Sequence, residues 1–146
     1  MEIRALGTAD VALLCGVAPG LFDNPVRPDQ AQAFLESPLN LLVAALEDGE
    51  IHAFASATVL LHPDKAPALL VNEVGTRAGY RRRGLASAVC RALFDAARGR
   101  GCTGIWLGAE PDAAAALALY RRLGGEERAF IGFAWDGAFG ADAGSG

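Results

Sequence analysis

The sequence predicts a mixed three-layer α/β fold, and three observations predict it. Two apolar runs, Leu39–Leu46 and Ile51–Leu61, flank Asp48-Gly49, a hairpin turn signal, so they pair antiparallel. A third apolar run begins near Leu69 and ends at Thr76. A turn then leads into Leu85, Val89, Ala92, Leu93 and Ala96, which recur at the period of a helix with one buried face. Another apolar run, Thr103–Ala109, follows that helix, so the chain holds at least one β-α-β crossover.

The remaining elements follow in order. Glu2–Leu6 reads as a first strand. Thr8 caps a helix through Val11, Leu14 and Cys15 that ends near Gly16–Gly20. Leu21–Pro28 is a loop punctuated by Pro25 and Pro28. Asp29 caps a short helix with Ala33, Phe34 and Leu35, stopped before Pro38. The alternation Ile51, Ala53, Ala55 is that of a strand with one buried face. Gly99 and Gly101 are C-cap candidates for the central helix. Pro111-Asp112 opens an alanine-rich helix that runs to Leu123 and stops at Gly124, with Asp112 as its cap. Phe130–Trp135 is a last strand. Residues 1–136 form a single domain, and 137–146 a small, polar, flexible tail.

Composition excludes several functions. A chain of 146 residues, 52% hydrophobic, holds one domain with a sizeable core. Its net charge of −4 disfavours a nucleic-acid-binding face. Cys15, Cys90 and Cys102 are widely spaced with no CxxC, giving neither a disulfide framework nor a zinc site; Cys90 reads as a small core residue. No apolar run approaches membrane-spanning length, and MEIRALGTAD is not a signal peptide, so a cytoplasmic protein without a membrane partner is expected.

Against this acidic background one turn stands out. Arg77, Gly79, Arg81, Arg82, Arg83 and Gly84 lie where the central strand ends and the helix begins. A helix start has free N–H groups and a partial positive charge, which favour an anion. Arginines there oppose the macrodipole unless a polyanion sits among them. Gly79 and Gly84 have the P-loop glycine spacing, but Leu85-Ala86 stands where Lys-Ser/Thr belongs, and G-x-G-x-x-G is absent. His52 and His62 have no patterned carboxylate and receive no role; Trp106 reads as core.

Arg81-x-x-Gly84-x-Ala86, preceded by Tyr80, resembles the acetyl-coenzyme A signature R/Q-x-x-G-x-G/A of the GCN5-related N-acetyltransferase (GNAT) superfamily, and the order of elements resembles that fold over residues 2–136. The resemblance implies a mixed, mostly antiparallel sheet flanked by helices on both faces. Leu69–Thr76 and Thr103–Ala109 would splay apart to admit the pantetheine arm. Backbone N–H groups of Arg81, Arg82, Arg83, Gly84, Leu85 and Ala86 would bind the pyrophosphate. Main-chain groups of Val74 and Thr76 would pair with pantetheine, and an N–H near Val74 would face the developing oxyanion.

Ala-Leu-Tyr-Arg-Arg-Leu-Gly at 118–124 resembles the later segment A-x-x-L-Y-x-x-x-G-F, which implies that Tyr120 protonates the leaving thiolate. Two departures stand beside it: Ala113 where the family often has Asn, and Gly124-Gly125 for Gly-Phe. For deprotonating the amine the candidates are Glu73, in the central strand, and Glu110, closing the next one. A carboxylate in apolar surroundings has a raised pKa and is the better base.

The segment from Leu21 to Ala57, the Glu two before Gly75, Ala109-Glu110 and ALALYRRLGGEE look like the aminoglycoside 3-N-acetyltransferases of GNAT type. Carboxylates such as Asp23, Glu73 and Glu110 would suit a polycationic sugar. The expectation is therefore an acetyl-CoA-dependent N-acetyltransferase, without metal, acting on a small cationic amine, an aminoglycoside first. The alternatives are acetylation of a peptide N-terminus, a lysine or a polyamine, or a non-catalytic acyl-CoA-binding module. The terminal apolar strand is either core or an edge that pairs in a homodimer.

Overall fold

Asp48 and Gly49 both take positive φ, 54° and 75°, closing a two-residue hairpin between β2 (Asn40–Glu47) and β3 (Glu50–Leu60). That hairpin is the centre of the sheet in the computed structural model, which describes residues 1–140. With β1 (Glu2–Ala5), β4 (Ala68–Thr76) and β5 (Gly104–Trp106), the strand order is β1-β2-β3-β4-β5. All pairs are antiparallel except β4 with β5. The expected tail at 137–146 falls for the most part outside the described residues. Among the described residues no helix is long and apolar enough to cross a membrane.

Both faces are covered. On one, Leu41, Val43, Ala53, Ala55, Leu69 and Val71 pack against Leu85, Val89, Cys90 and Leu93 of α3 (Leu85–Gly99) and Leu119 of α4 (Ala114–Arg122). On the other, Leu42, Ala44, Ile51 and Phe54 meet Leu14 of α1 (Val11–Cys15), Leu21 and Ala31 of α2 (Pro28–Glu36). Small alanines at 44, 45, 53, 55 and 57 are fully buried and let these helices lie close to the sheet.

Two β-bulges interrupt the ladders. In β3, Ala45 pairs with Ala53 and Leu46 with Ile51, leaving His52 as the extra residue. Ile51 therefore faces α1 and α2 while Ala53 faces α3, which breaks the expected alternation. In β4, Ser56 pairs with Glu73 and Ala57 with Val71, leaving Asn72 as the extra residue.

Helix ends largely follow the glycines. Gly124 (φ 87°) ends α4, its N–H bonded to the Arg121 carbonyl and that of Gly125 to the Tyr120 carbonyl; Gly101 (φ 83°) does the same for α3. The N-termini differ from expectation. Gly7, not Thr8, precedes the 3₁₀ turn Thr8–Asp10, because Asp10 reaches back to accept the Gly7 N–H at 2.8 Å. Pro28 rather than Asp29 opens α2, its missing N–H being one that a first turn does not need. Asp112 lies in the turn before α4, whose cap position is Ala113.

The last strand is the main correction. Phe130–Trp135 forms no strand, and Phe130, Ile131, Phe133 and Trp135 are exposed. Its would-be neighbour β5 is only Gly104–Trp106, shorter than the expected Thr103–Ala109, and offers too short a ladder. Phe130 packs edge-on to Trp106 at 5.5 Å, and Trp106, expected in the core, is half exposed.

Candidate functional site

The turn from Arg77 to Gly84 is held in a conformation that only a few residues tolerate. Gly79 and Gly84 have φ of 90° and 74°, and Arg82, a non-glycine, has φ of 65°. Left-handed geometry at a residue with Cβ typically costs about 1–3 kcal/mol and clusters at functional sites. Arg81, Arg82, Arg83 and Gly84 are exposed. Among the described residues their amides donate to no backbone carbonyl, and Leu85 and Ala86 follow in the first turn of α3. This is a run of free donors at a helix start, an arrangement that in general favours an anion.

Beside it lies an open strand edge. β4 pairs with β5 only from Ala68 to Leu70, while β4 runs on to Thr76. The bulge at Asn72, in the ladder with β3, comes soon after. Val74 and Thr76 thus lie on a stretch paired with β3 on one side alone. Where a splay of Leu69–Thr76 from Thr103–Ala109 was expected, β5 instead ends at Trp106 and leaves the rest of the β4 edge unpaired. Asn72 also pins the bulge, its amide donating to Thr58 Oγ1 at 3.0 Å, and that hydroxyl in turn donating to Asn40 Oδ1 at 3.0 Å.

The same bulge aims Glu73. Val71 and Val74 face α3, whereas Asn72 and Glu73 turn together toward α1 and α2. There they line a cavity of about 310 Å³ with Leu14, Phe22, Val26, Phe34, Leu42 and the buried Ser56. Glu73 is the sole carboxylate among the described lining residues. Its side chain remains open to solvent on one side, yet loss of hydration raises its carboxyl above the ordinary 4.5, and the charge of Asp23 raises it further. Phe22 stacks on Phe54 at 3.9 Å to form one wall. Gly75 lies beneath that wall, where a Cβ would stand 2.5 Å from the Leu21 carbonyl oxygen.

Tyr120 projects from α4 on the opposite face of the sheet, packed against the α3 cluster and along a larger cleft of about 970 Å³ shared with Leu107 and Gly108. Burial raises its phenol, with Cys90 adding to the shift. Glu110 sits in the exposed turn after β5, its carbonyl accepting the Ala113 N–H, and it is not among the described residues around Glu73. Among the described residues no group of His, Cys, Asp and Glu is arranged to hold a metal.

Sequence reasoning missed the tether of the turn. His52, given no role, lies under Tyr80, and Arg77 donates its N–H to the His52 carbonyl at 2.8 Å. A bulge has no composition signal, so the partial alternation at 51–55 was the sole trace of it.

The chain matches the sequence profile of the Acetyltransferase (GNAT) family over residues 13–125. No curated protein matches it significantly. Among solved structures it is similar to the aminoglycoside acetyltransferase HMB0005 from an uncultured soil metagenomic sample, with 25% identity and a TM-score of 0.79 over 91% of this chain and 96% of that one. It is also similar to AAC(6')-Iy in complex with the bisubstrate analogue CoA-S-monomethyl-acetylneamine (18% identity, TM-score 0.78, 92% and 97% covered). A third is the ribosomal-protein-alanine N-acetyltransferase from Brucella melitensis biovar Abortus 2308 (19%, 0.75, 92% and 99%). The last two likenesses speak for the fold alone.

Proposed function

The chain belongs to the acetyltransferase (GNAT) family, and on that premise we propose that it moves an acetyl group from acetyl-CoA to a primary amine of a small cationic acceptor. The observation that carries this reading is the juxtaposition of two features: an exposed turn at 81–84 leading into the first turn of α3, and the β4 edge left unpaired beyond Leu70, where β5 has ended. The amides of Arg81–Ala86 hold the pyrophosphate. Main-chain groups of Val74 and Thr76 hold pantetheine, and an N–H near Val74 faces the oxyanion.

Glu73, with its raised pKa, removes a proton from the ammonium, and Glu110 is the second carboxylate available to that step. The free amine attacks the thioester carbonyl carbon, and a tetrahedral intermediate forms. The C–S bond then breaks, the thiolate takes the Tyr120 proton, and the nitrogen gives up its second proton to the phenolate, which leaves a neutral amide and restores the phenol. A raised phenol is a weaker acid than a thiol of pKa about 8.5, so transfer is uphill unless the same apolar surroundings raise the thiol as well.

An aminoglycoside is the first acceptor to test. Its support is the sequence resemblance, the likeness to an aminoglycoside acetyltransferase and the negative field of Asp23 and Glu73. Transfer at 3-N rests on the sequence resemblance alone. A peptide amino terminus is the second reading, favoured because the cavity sets a single carboxylate beside apolar walls and the hydrogen-bonding side chains of Asn24, Arg27 and Gln30. Cytoplasmic location and a homodimer through the exposed 130–135 segment belong to the same reading. Incubation with acetyl-CoA and panels of aminoglycosides, peptides and polyamines, followed by free thiol, separates these acceptors. Release no faster than hydrolysis with every amine leaves only a non-catalytic acyl-CoA-binding module.

A further inference from the structure

His52 and Tyr80 form a contact that the acetyl-transfer steps do not use. His52 is 2% exposed, and it sits near the turn end of the β2–β3 hairpin, beside the turn that begins at Arg77. Its Nε2 lies 3.2 Å from the Glu47 carbonyl oxygen. A carbonyl only accepts, so Nε2 carries the proton and Nδ1 is an acceptor. Nδ1 faces Arg77 Nη1 at 3.5 Å, and that guanidinium also pairs with Glu50 at 2.8 Å.

The Tyr80 ring stacks on the imidazole, with centroids 3.9 Å apart and planes within 12°. The Arg83 guanidinium lies over the same ring at 4.7 Å, and that of Arg77 at 5.7 Å. The Tyr80 N–H donates to the Arg77 carbonyl at 3.0 Å. Tyr80 is thus the half-buried residue of a turn whose neighbours Ala78, Gly79, Arg81 and Arg82 are exposed. The bulge is what makes the seat, since the extra residue in β3 brings His52 to the face that Tyr80 covers.

We propose that Tyr80, seated on His52, is the positioning residue that presets the donor-binding turn, so that this pair sets affinity for the pyrophosphate end of acetyl-CoA without touching the reacting atoms. The inference rests on the donor reading above. Loss of an aromatic stack together with a cation–π contact corresponds to roughly a 5- to 50-fold change. Presetting places that change in donor affinity, because a mobile turn must be ordered on binding.

The test is calorimetric titration of coenzyme A into the unmodified chain, Tyr80→Leu and Tyr80→Phe, with steady-state kinetics on the amine that the acceptor screen identifies. Tyr80→Leu is expected to lose affinity for coenzyme A by roughly 5- to 50-fold. Tyr80→Phe keeps the ring and is expected to stay near the unmodified value. At saturating acetyl-CoA, kcat and the acceptor KM of Tyr80→Leu should be unchanged, and so should its use of S-acetylpantetheine, which has no pyrophosphate. Equal affinity in Tyr80→Leu overturns the inference alone, as does an equal loss with both donors, which would mark general damage. No affinity in the unmodified chain removes the donor reading and this inference together.

Discussion

Replacing Gly75 with Ala tests how the acceptor cavity is built. The new Cβ would lie 2.5 Å from the Leu21 carbonyl oxygen and 2.7 Å from Phe54 Cε1, against ordinary contacts of about 3.5–4.0 Å. Neither neighbour can turn aside. The oxygen is main chain, and Phe54 is 1% exposed and held by Phe22 stacked at 3.9 Å. The segment carrying Leu21 and Phe22 must therefore move away from β4 by about 1 Å. Overpacking of this kind costs about 1–3 kcal/mol, equivalent at this chain length to about 2–12 °C in Tm. Thermal unfolding reads the loss directly. Because Phe22 lines the cavity beside Glu73, the acceptor KM should rise while the KM for acetyl-CoA holds. An unchanged Tm with an unchanged acceptor KM would refute the packing argument, since no other property of Gly75 (its φ is not left-handed) requires glycine.

Tyr120→Phe removes the proposed acid, and kcat should fall by about 100-fold or more with donor affinity intact; calorimetry and turnover on the same preparation separate the two. Glu73 must be ionised to act as a base, so kcat/KM should fall as pH drops through a pKa above 4.5. Asp23→Asn should move that limb toward lower pH without abolishing it, because burial contributes more than Asp23 does. Since the folded pKa is raised, the stability this carboxyl contributes is complete below its unfolded value and is lost as pH rises through the folded one. Glu73→Gln should therefore be slightly more stable than the parent at neutral pH, as denaturant titration would show. Burial pushes the Cys90 thiol up to about 11, so peptide mapping after iodoacetamide at pH 8 should find Cys90 unlabelled in the native chain.

What the sequence made legible depended on local chemistry. Asp48-Gly49, Gly101 and Gly124 announce their turns because few residues accept positive φ, and the helical period of α3 shows because one face is buried. The turn before α3 was readable for the same reason, through Gly79 and Gly84. The bulges at His52 and Asn72 were not, because an extra residue in a strand is a property of register against a neighbour. They decide the site nonetheless. Asn72 turns Glu73 to the cavity, and His52 carries Tyr80. Phe130–Trp135 misled for the complementary reason: apolar alternation states a preference for pairing, while formation needs a partner edge longer than Gly104–Trp106.

Titration of coenzyme A into the folded, unmodified chain bears most directly on the donor site. Saturable binding of one molecule per chain is expected, with a dissociation constant between about 1 μM and 1 mM, the range in which enzymes commonly hold their substrates. A well-folded preparation that shows no saturable binding at several times that concentration would contradict the donor site, and the roles proposed for Glu73 and Tyr120 would fall with it.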